Sequence, residues 1–400
     1  MRLPQALATL IVLALPAAAQ VTWTVGGPNG QFATIQEALA VAGPDDLVDV
    51  NPGTYPGFTM SSPARVMGRN GVQVNGLSRM VGLPPGSTAL VADLSVDAFQ
   101  AIDCEGSTLV DGIVTRSFEA RGCSDLRVRE LEATANGLTS TPAAVVIDDS
   151  RVQLEASTIL GESSSSADGG PGLIATGGSF LHLMDSRVEG GMGGAEFDLF
   201  TTYAPDGGDG MTLEGASAVR IVRSEVIGGG GGWHNYAGGG FNCYDGFHGP
   251  GLRQCGGHSQ TWDSEIRDGY WSGSFTSPGP PSVLSCGATL TSGTDLPGLT
   301  LTGPLTAGSG FDLAASAGAG TSLRLVFGRR TDLDVTLGTQ IPRLVEPLRI
   351  ASLGSVPATG EAHVLGTVPT WPRGTQFFLQ VSRTGTTGTD FSNSTLFLVR

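Results

Sequence analysis

Val152-Gln153-Leu154-Glu155-Ala156-Ser157-Thr158-Ile159-Leu160-Gly161 is followed by two further copies of its own pattern, Leu181-His182-Leu183-Met184-Asp185-Ser186-Arg187-Val188-Glu189-Gly190 and Val219-Arg220-Ile221-Val222-Arg223-Ser224-Glu225-Val226-Ile227-Gly228. Alternating apolar residues, then a Ser, an apolar residue and a Gly, recur in register, and a degenerate fourth copy ends in Ser264-Glu265-Ile266. Apolar residues at alternate positions turn one face of a short strand inward. A unit this short cannot bury that face alone. It must stack on its neighbours as a solenoid, with rungs about 4.8 Å apart.

The Ser residues are separated by 29, 38 and 40 positions, and the added residues are Gly, Ser, Asp and Pro, so rungs lengthen by loops extruded at one corner. Gly170-Pro171-Gly172-Leu173, Gly208-Asp209-Gly210-Met211 and Gly249-Pro250-Gly251-Leu252 mark where those loops re-enter the coil. Glycine tolerates positive φ and close backbone approach, so the loops are expected to turn sharply and lie against one another. Upstream, Phe99-Gln100-Ala101-Ile102-Asp103-Cys104 returns 19 residues later as Phe118-Glu119-Ala120-Arg121-Gly122-Cys123, which places Cys104 and Cys123 on neighbouring rungs, where they can bond or merely stack. Ser157, Ser186, Ser224 and Ser264 read as a hydrogen-bonding ladder, since no His recurs beside them. Arg187 and Glu225 are expected as cross-rung neighbours in solvent, worth little as an ion pair.

Composition agrees with a turn-dense β protein: 61 of 400 residues are Gly, 15% are charged and 40% are hydrophobic. The hydrophobic share excludes wholesale disorder, and scattered Gly excludes a helical bundle. The net charge is −15 and every basic residue is Arg. That balance disfavours nucleic acid, anionic membrane and unaided binding of polyuronates. Arg2, the apolar run Ala6 to Leu15 and Ala17-Ala18-Ala19 read as a signal peptide over residues 1–19, and no later segment is long enough to cross a membrane. Secretion, to the extracellular space, cell surface or periplasm, is the expectation, and disulfides are allowed there.

Phe32 to Ala42 is an amphipathic helix with Thr34 and Glu37 at capping-box spacing, stopped by Gly43-Pro44. Together, Gly30-Gln31-Phe32-Ala33-Thr34-Ile35-Gln36-Glu37-Ala38-Leu39 and Gly43-Pro44-Asp45-Asp46-Leu47-Val48-Asp49-Val50-Asn51-Pro52-Gly53-Thr54-Tyr55 resemble the N-terminal capping segment of pectin-lyase-like right-handed parallel β-helices. With the rungs that follow, the resemblance covers residues 21–275. It implies an all-β chain: a capping segment over 20–58, a right-handed parallel β-helix over 20–285 with extruded Gly-rich loops, and a C-terminal domain over 286–400. Short alternating segments such as Ser322-Leu323-Arg324-Leu325-Val326-Phe327 make that last part a β-sandwich, similar to those appended to exported bacterial β-helix proteins.

The family includes lyases, hydrolases, adhesins and proteins without known activity, so function must be argued from sites. A lyase would need carboxylates on Ca²⁺ and a basic proton acceptor. Asp206 and Asp209 are the candidate Ca²⁺ ligands, and Asp209, Asp245, His248 and Arg253 the candidate catalytic groups. His248-Gly249-Pro250-Gly251 matches a His-Gly-x-Gly element of polygalacturonase-type hydrolases, but the Arg-x-Lys element is absent because the chain has no Lys. Trp233, His234, Tyr236, Tyr244 and Asp245 form the densest aromatic and titratable cluster, suited to sugar rings with apolar faces and hydroxyl rims. Cys243 and Cys255 could staple that loop, and Cys104 could pair with Cys123. The expected function is a monomeric, non-catalytic binder of polysaccharide or a cell-surface glycan on the face around residues 191–258. A polysaccharide lyase or glycoside hydrolase is the alternative.

Overall fold

The structure is a computed structural model and describes residues 20–136, 143–194, 204–232, 246–269, 282–285, 289–293, 298–302, 306, 308–328, 349–367, 373, 375–385 and 388–398. It is all-β apart from one short helix, and it divides into two units, Thr22–Gly293 and a second containing Thr294–Arg400.

In the first unit, strands from successive repeats pair in parallel to build an 11-stranded and a 15-stranded sheet around one continuous core. This is a parallel solenoid, compatible with a parallel β-helix. Copies of the opening pattern stack in register: Val152 opposite Leu181, then Leu181 opposite Val219. The strands Val283–Ser285 and Thr289–Gly293 still pair in parallel with it. The helix is Ile35–Leu39, shorter than the expected Phe32 to Ala42, and it carries the expected capping box. Ile35, Ala38 and Leu39 are buried on the core, so the helix closes the N-terminal end of the stack.

Each rung turns from the first sheet to the second through a tight corner whose leading residue is left-handed: Asp93, Glu130, Ala156, Asp185, Arg223 and Asp263 have φ between 44° and 58°. A non-glycine residue there costs roughly 1–2 kcal/mol. The next residue supplies compensation. In early rungs it is Leu94, Ile113 or Leu131, buried in the core. From Ser157 onward it is Ser, and the expected ladder forms. Ser186 Oγ donates to Met184 O at 2.6 Å and accepts the Ser157 N–H at 3.0 Å. Ser224 and Ser264 repeat this, accepting from Ser186 N at 3.1 Å and from Ser224 N at 3.2 Å.

A second ladder runs along the opposite corner and contains the two cysteines. Ser150 Oγ accepts the Cys123 N–H at 3.0 Å, and Ser179 Oγ accepts the Ser150 N–H at 3.2 Å. Cys104 and Cys123 are buried free thiols, so of the two arrangements open to them, bonding or stacking, they stack. Each donates instead to the carbonyl two residues earlier, Cys104 to Ile102 O at 3.4 Å and Cys123 to Arg121 O at 3.5 Å. The thiols occupy hydroxyl positions of the ladder.

The lengthening of the rungs begins at a fork in the second sheet. Strand Val114–Arg121 pairs with Glu132–Thr134 through its first residues and with Val145–Asp148 through its last. Beyond it the sheet continues as two separate rows, and the Gly-rich segments emerge between them. They form a fin of outgoing and returning layers. Gly191 N donates to Gly170 O, Gly208 N to Gly191 O, Gly229 N to Gly208 O, Gly249 N to Gly229 O and Gly269 N to Gly249 O, at 2.7–3.1 Å. Three residues on, the direction recurs: Gly191 and Gly194 donate across the fin, Gly190 and Gly193 along it. That period is the threefold repeat of a polyproline II helix.

The glycines of the fin serve a different purpose from the sharp turning expected of them. None of Gly190, Gly191, Gly208, Gly229 and Gly249 has a left-handed φ. A Cβ on Gly208 would instead run into Gly170 O, one on Gly229 into Gly191 O, and one on Gly249 into Gly208 O. Side chains recur at every third position of the returning layer, at Asp168 and Pro171, Asp206 and Asp209, Phe247 and Pro250, and His248 stands where the two earlier rungs have Gly169 and Gly207.

The second unit contains a three-stranded and a four-stranded antiparallel sheet. Leu299, Phe311 and Leu313 from the first join Leu323, Leu353, Leu379 and Val381 from the second in one core cluster.

Gly208→Ala should therefore lower stability by about 1–3 kcal/mol, the usual cost of overpacking. Gly43→Ala, where the Cβ meets only Asp46 Oδ2 at 3.5 Å, should be near neutral. Urea unfolding of the two variants measures the difference, and equal midpoints would refute the close-packed fin.

Candidate functional site

Asp206, Asp209 and His248 lie on the described part of the fin. The aromatic segment, with Trp233, His234, Tyr236, Tyr244 and Asp245, lies outside the described residues, as does Cys243, so the Cys243–Cys255 pairing does too. The flanks of that segment are described. Gly246 N donates to Gly232 O at 3.0 Å and Gly232 N to Pro205 O at 2.8 Å. Gly231 N donates to His248 Nδ1 at 3.3 Å, which makes His248 an acceptor that helps hold the flank.

The carboxylates proposed for Ca²⁺ have other partners. Asp168 Oδ1 accepts Asp206 N at 2.8 Å, and Asp206 Oδ1 accepts Phe247 N at 2.7 Å, so this column of acids clips successive rungs of the fin. Asp209 and Arg253 are brought together as a two-pronged ion pair with contacts of 2.5 and 2.9 Å, and Thr212 Oγ1 donates to Asp209 at 2.8 Å. Hydrogen bonding to Asp209 holds the Arg253 guanidinium above its usual pKa. Acid and base neutralise each other at the base of the fin. Among the described residues, no group of three or more His, Cys, Asp and Glu side chains is placed to hold a metal ion.

The most perturbed groups lie where the sequence does not point. Val152, Leu154, Leu181, Leu183, Val219 and Ile221 face the solenoid core, so the residues between them face outward. Alternation predicts solvent there, yet Gln153, His182 and Arg220 are at most 1% exposed. They stack in register, Arg127, Gln153, His182, Arg220 and Gln260 in one column, and Asp111, Arg129 and Glu155 in the next. Arg129 binds Asp111 at 2.7 Å, and Arg220 Nε donates to Gln260 Oε1 at 2.8 Å while its guanidinium lies 5.7 Å from the Trp262 ring centre. Burial pushes Arg220 and Arg127 down to about 10. His182 is held neutral by burial and then by Arg220, and neither ring nitrogen has a hydrogen-bond partner among the described residues.

Burial lifts the Glu155 carboxyl to about 7, against the pull of Arg129. A carboxyl near neutrality between guanidiniums has the character of a general acid. The cluster is buried, so its ionisation bears directly on the stability of the fold.

Two open grooves cross the solenoid. One, of about 640 Å³, runs along the Ser ladder beside Asp185, Arg187, Arg223, Glu225 and Glu265. Its charges are largely consumed: Arg223 binds Asp185 at 2.7 Å, and Glu225 is shared by Arg187 and Arg267 at 2.5 Å. The expected Arg187–Glu225 neighbours are thus in contact. The other, of about 410 Å³, lies beside the fork. Compared with protein-family models, curated proteins and solved structures, the chain matches none.

A carboxyl that is harder to ionise in the folded than in the unfolded protein destabilises the fold as pH rises. For Glu155 the loss should accumulate between about pH 4.5 and pH 7 and reach about 3 kcal/mol. Glu155→Gln should lose that slope. Urea denaturation of both proteins at pH 5 and pH 8 tests this, and the same pH dependence in each would contradict the burial of Glu155.

Proposed function

We propose that this is an exported protein of the pectin-lyase-like right-handed parallel β-helix type, and that it binds polysaccharide or a cell-surface glycan without catalysis. The binding site is the aromatic segment 233–245, which the chain enters at Gly232 and leaves at Gly246. The observation that supports this reading is the hydrogen bond between Gly232 and Gly246, which brackets the segment on a support of backbone packed against backbone. Side chains that stack on sugars bind best when little ordering remains to be done. Trp233, His234, Tyr236 and Tyr244 supply apolar faces and polar rims, and Asp245 a hydroxyl acceptor.

The same reading takes residues 1–19 as a leader, Cys243–Cys255 as a staple across the segment, and the seven-stranded second unit as a β-sandwich. No described helix is long and apolar enough to cross a membrane. The occupied state of Asp209 and Arg253 favours binding over a lyase or hydrolase, since either would have to break that pair before working as acid or base.

Purified protein without residues 1–19 should bind glycans on an array with or without Ca²⁺. Trp233→Ala combined with Tyr236→Ala should weaken that binding at least tenfold and leave the melting temperature unchanged. Assays for new reducing ends and unsaturated uronates should stay blank. Product formation would install the enzymatic alternative, and an array without signal would remove the glycan reading.

A further inference from the structure

Resting on that glycan-binding reading, we propose a second site on the solenoid itself: the groove beside the fork binds a neutral, extended, β-linked polysaccharide chain lying along the solenoid axis. Its floor is the outer face of strands that pair in register. Gln73 lies opposite Ser95, Ser95 opposite Val114, and Val114 opposite Glu132. Asn75, Thr134 and Asn136 line the same groove. It spans four stacked strands, about 14 Å from first to last at the normal strand spacing.

The lining explains the choice of ligand. Amides and hydroxyls dominate, and the side chains of Gln73, Asn75, Ser95, Thr134 and Asn136 have no hydrogen-bond partner among the described residues. Their donors and acceptors are left for a ligand, whereas the charges of the larger groove are taken up by one another. Val114 is 45% exposed between them and offers an apolar patch to the C–H face of a sugar ring. Its three charged side chains partly cancel: Asp97 and Arg116 face each other at 3.7 Å, which leaves Glu132 as the uncompensated acid of the lining. An anionic chain would be repelled there and by the overall charge of −15.

Geometry narrows the ligand further. An extended β-linked chain advances per sugar by close to the spacing of one rung, so successive rings meet equivalent positions on successive strands, about three rings in all. An α-linked glucan coils and would leave so straight a groove. The shape is set by a bend in the strands: Gly76, at φ 88°, donates its N–H to Asp97 Oδ2 at 2.7 Å, and Thr115 Oγ1 accepts the Ser117 N–H at 3.3 Å.

Affinity electrophoresis in native gels containing hydroxyethyl cellulose, a neutral β-1,4-glucan, tests the site, with polygalacturonate and an α-glucan gel in parallel. The native protein should be retarded by hydroxyethyl cellulose alone. Asn75→Ala with Asn136→Ala should reduce the retardation at least fivefold, and Val114→Arg should abolish it, both with an unchanged melting temperature. Retention of native mobility shifts by both groove variants would overturn the proposal. If Trp233→Ala then loses the shift, the aromatic-segment reading stands while the groove falls. If Trp233→Ala keeps the shift and the groove variants lose it, the reverse holds. No retardation by any of the three polymers sinks the groove, and the glycan array then decides the aromatic segment separately.

Discussion

Stacking parallel rungs at one fixed spacing obliges each backbone N–H to find an acceptor on the rung beside it. Along the strands the sheet ladders meet this demand automatically. At the corners the chain changes direction and the ladder breaks. Much of what is distinctive in this protein is a way of repairing that break: Ser hydroxyls at one corner, thiols and then hydroxyls at another, and a plate of closely packed glycine backbone where the second sheet forks. Even the carboxylates of Asp168 and Asp206 serve the same demand, as acceptors for N–H groups in the fin.

The separation of folding chemistry from binding chemistry follows from this. Charged groups near the core are used up in pairs: Arg129 with Asp111, Arg253 with Asp209, Arg223 with Asp185. Beside the fork, by contrast, the side chains of Gln73, Asn75, Ser95, Thr134 and Asn136 are uncharged and have no hydrogen-bond partner among the described residues. The acidity of the chain as a whole acts at longer range, by excluding partners of the same sign.

The repeat around Ser157 was legible because the stack imposes one period on sequence and structure alike, and the Ser ladder and the Arg187–Glu225 neighbours followed from it. The fin was legible only as loops lying together. Glycine answers two needs, left-handed φ and close approach, and composition does not separate them; the signal that could have done so is the three-residue rhythm in Asp206-Gly207-Gly208-Asp209-Gly210. Cys104 and Cys123 were correctly placed as neighbours, but a spacing cannot say whether two thiols bond or each takes the part of a hydroxyl. The column through His182 escaped altogether. Alternation assigns Gln153, His182 and Arg220 to the outward face, and nothing in a local pattern reveals that an outward face is buried.

The fin also has a mechanical character. Its outgoing and returning segments are each continuous with a strand of the second sheet, and the hydrogen bonds between them lie across the direction in which the segments run. A force applied at Gly232 and Gly246 would load those bonds together, in shear, and pass into both rows of the forked sheet. Pulling these segments apart would mean sliding them past one another at once, whereas a loop held at a single point would peel away bond by bond.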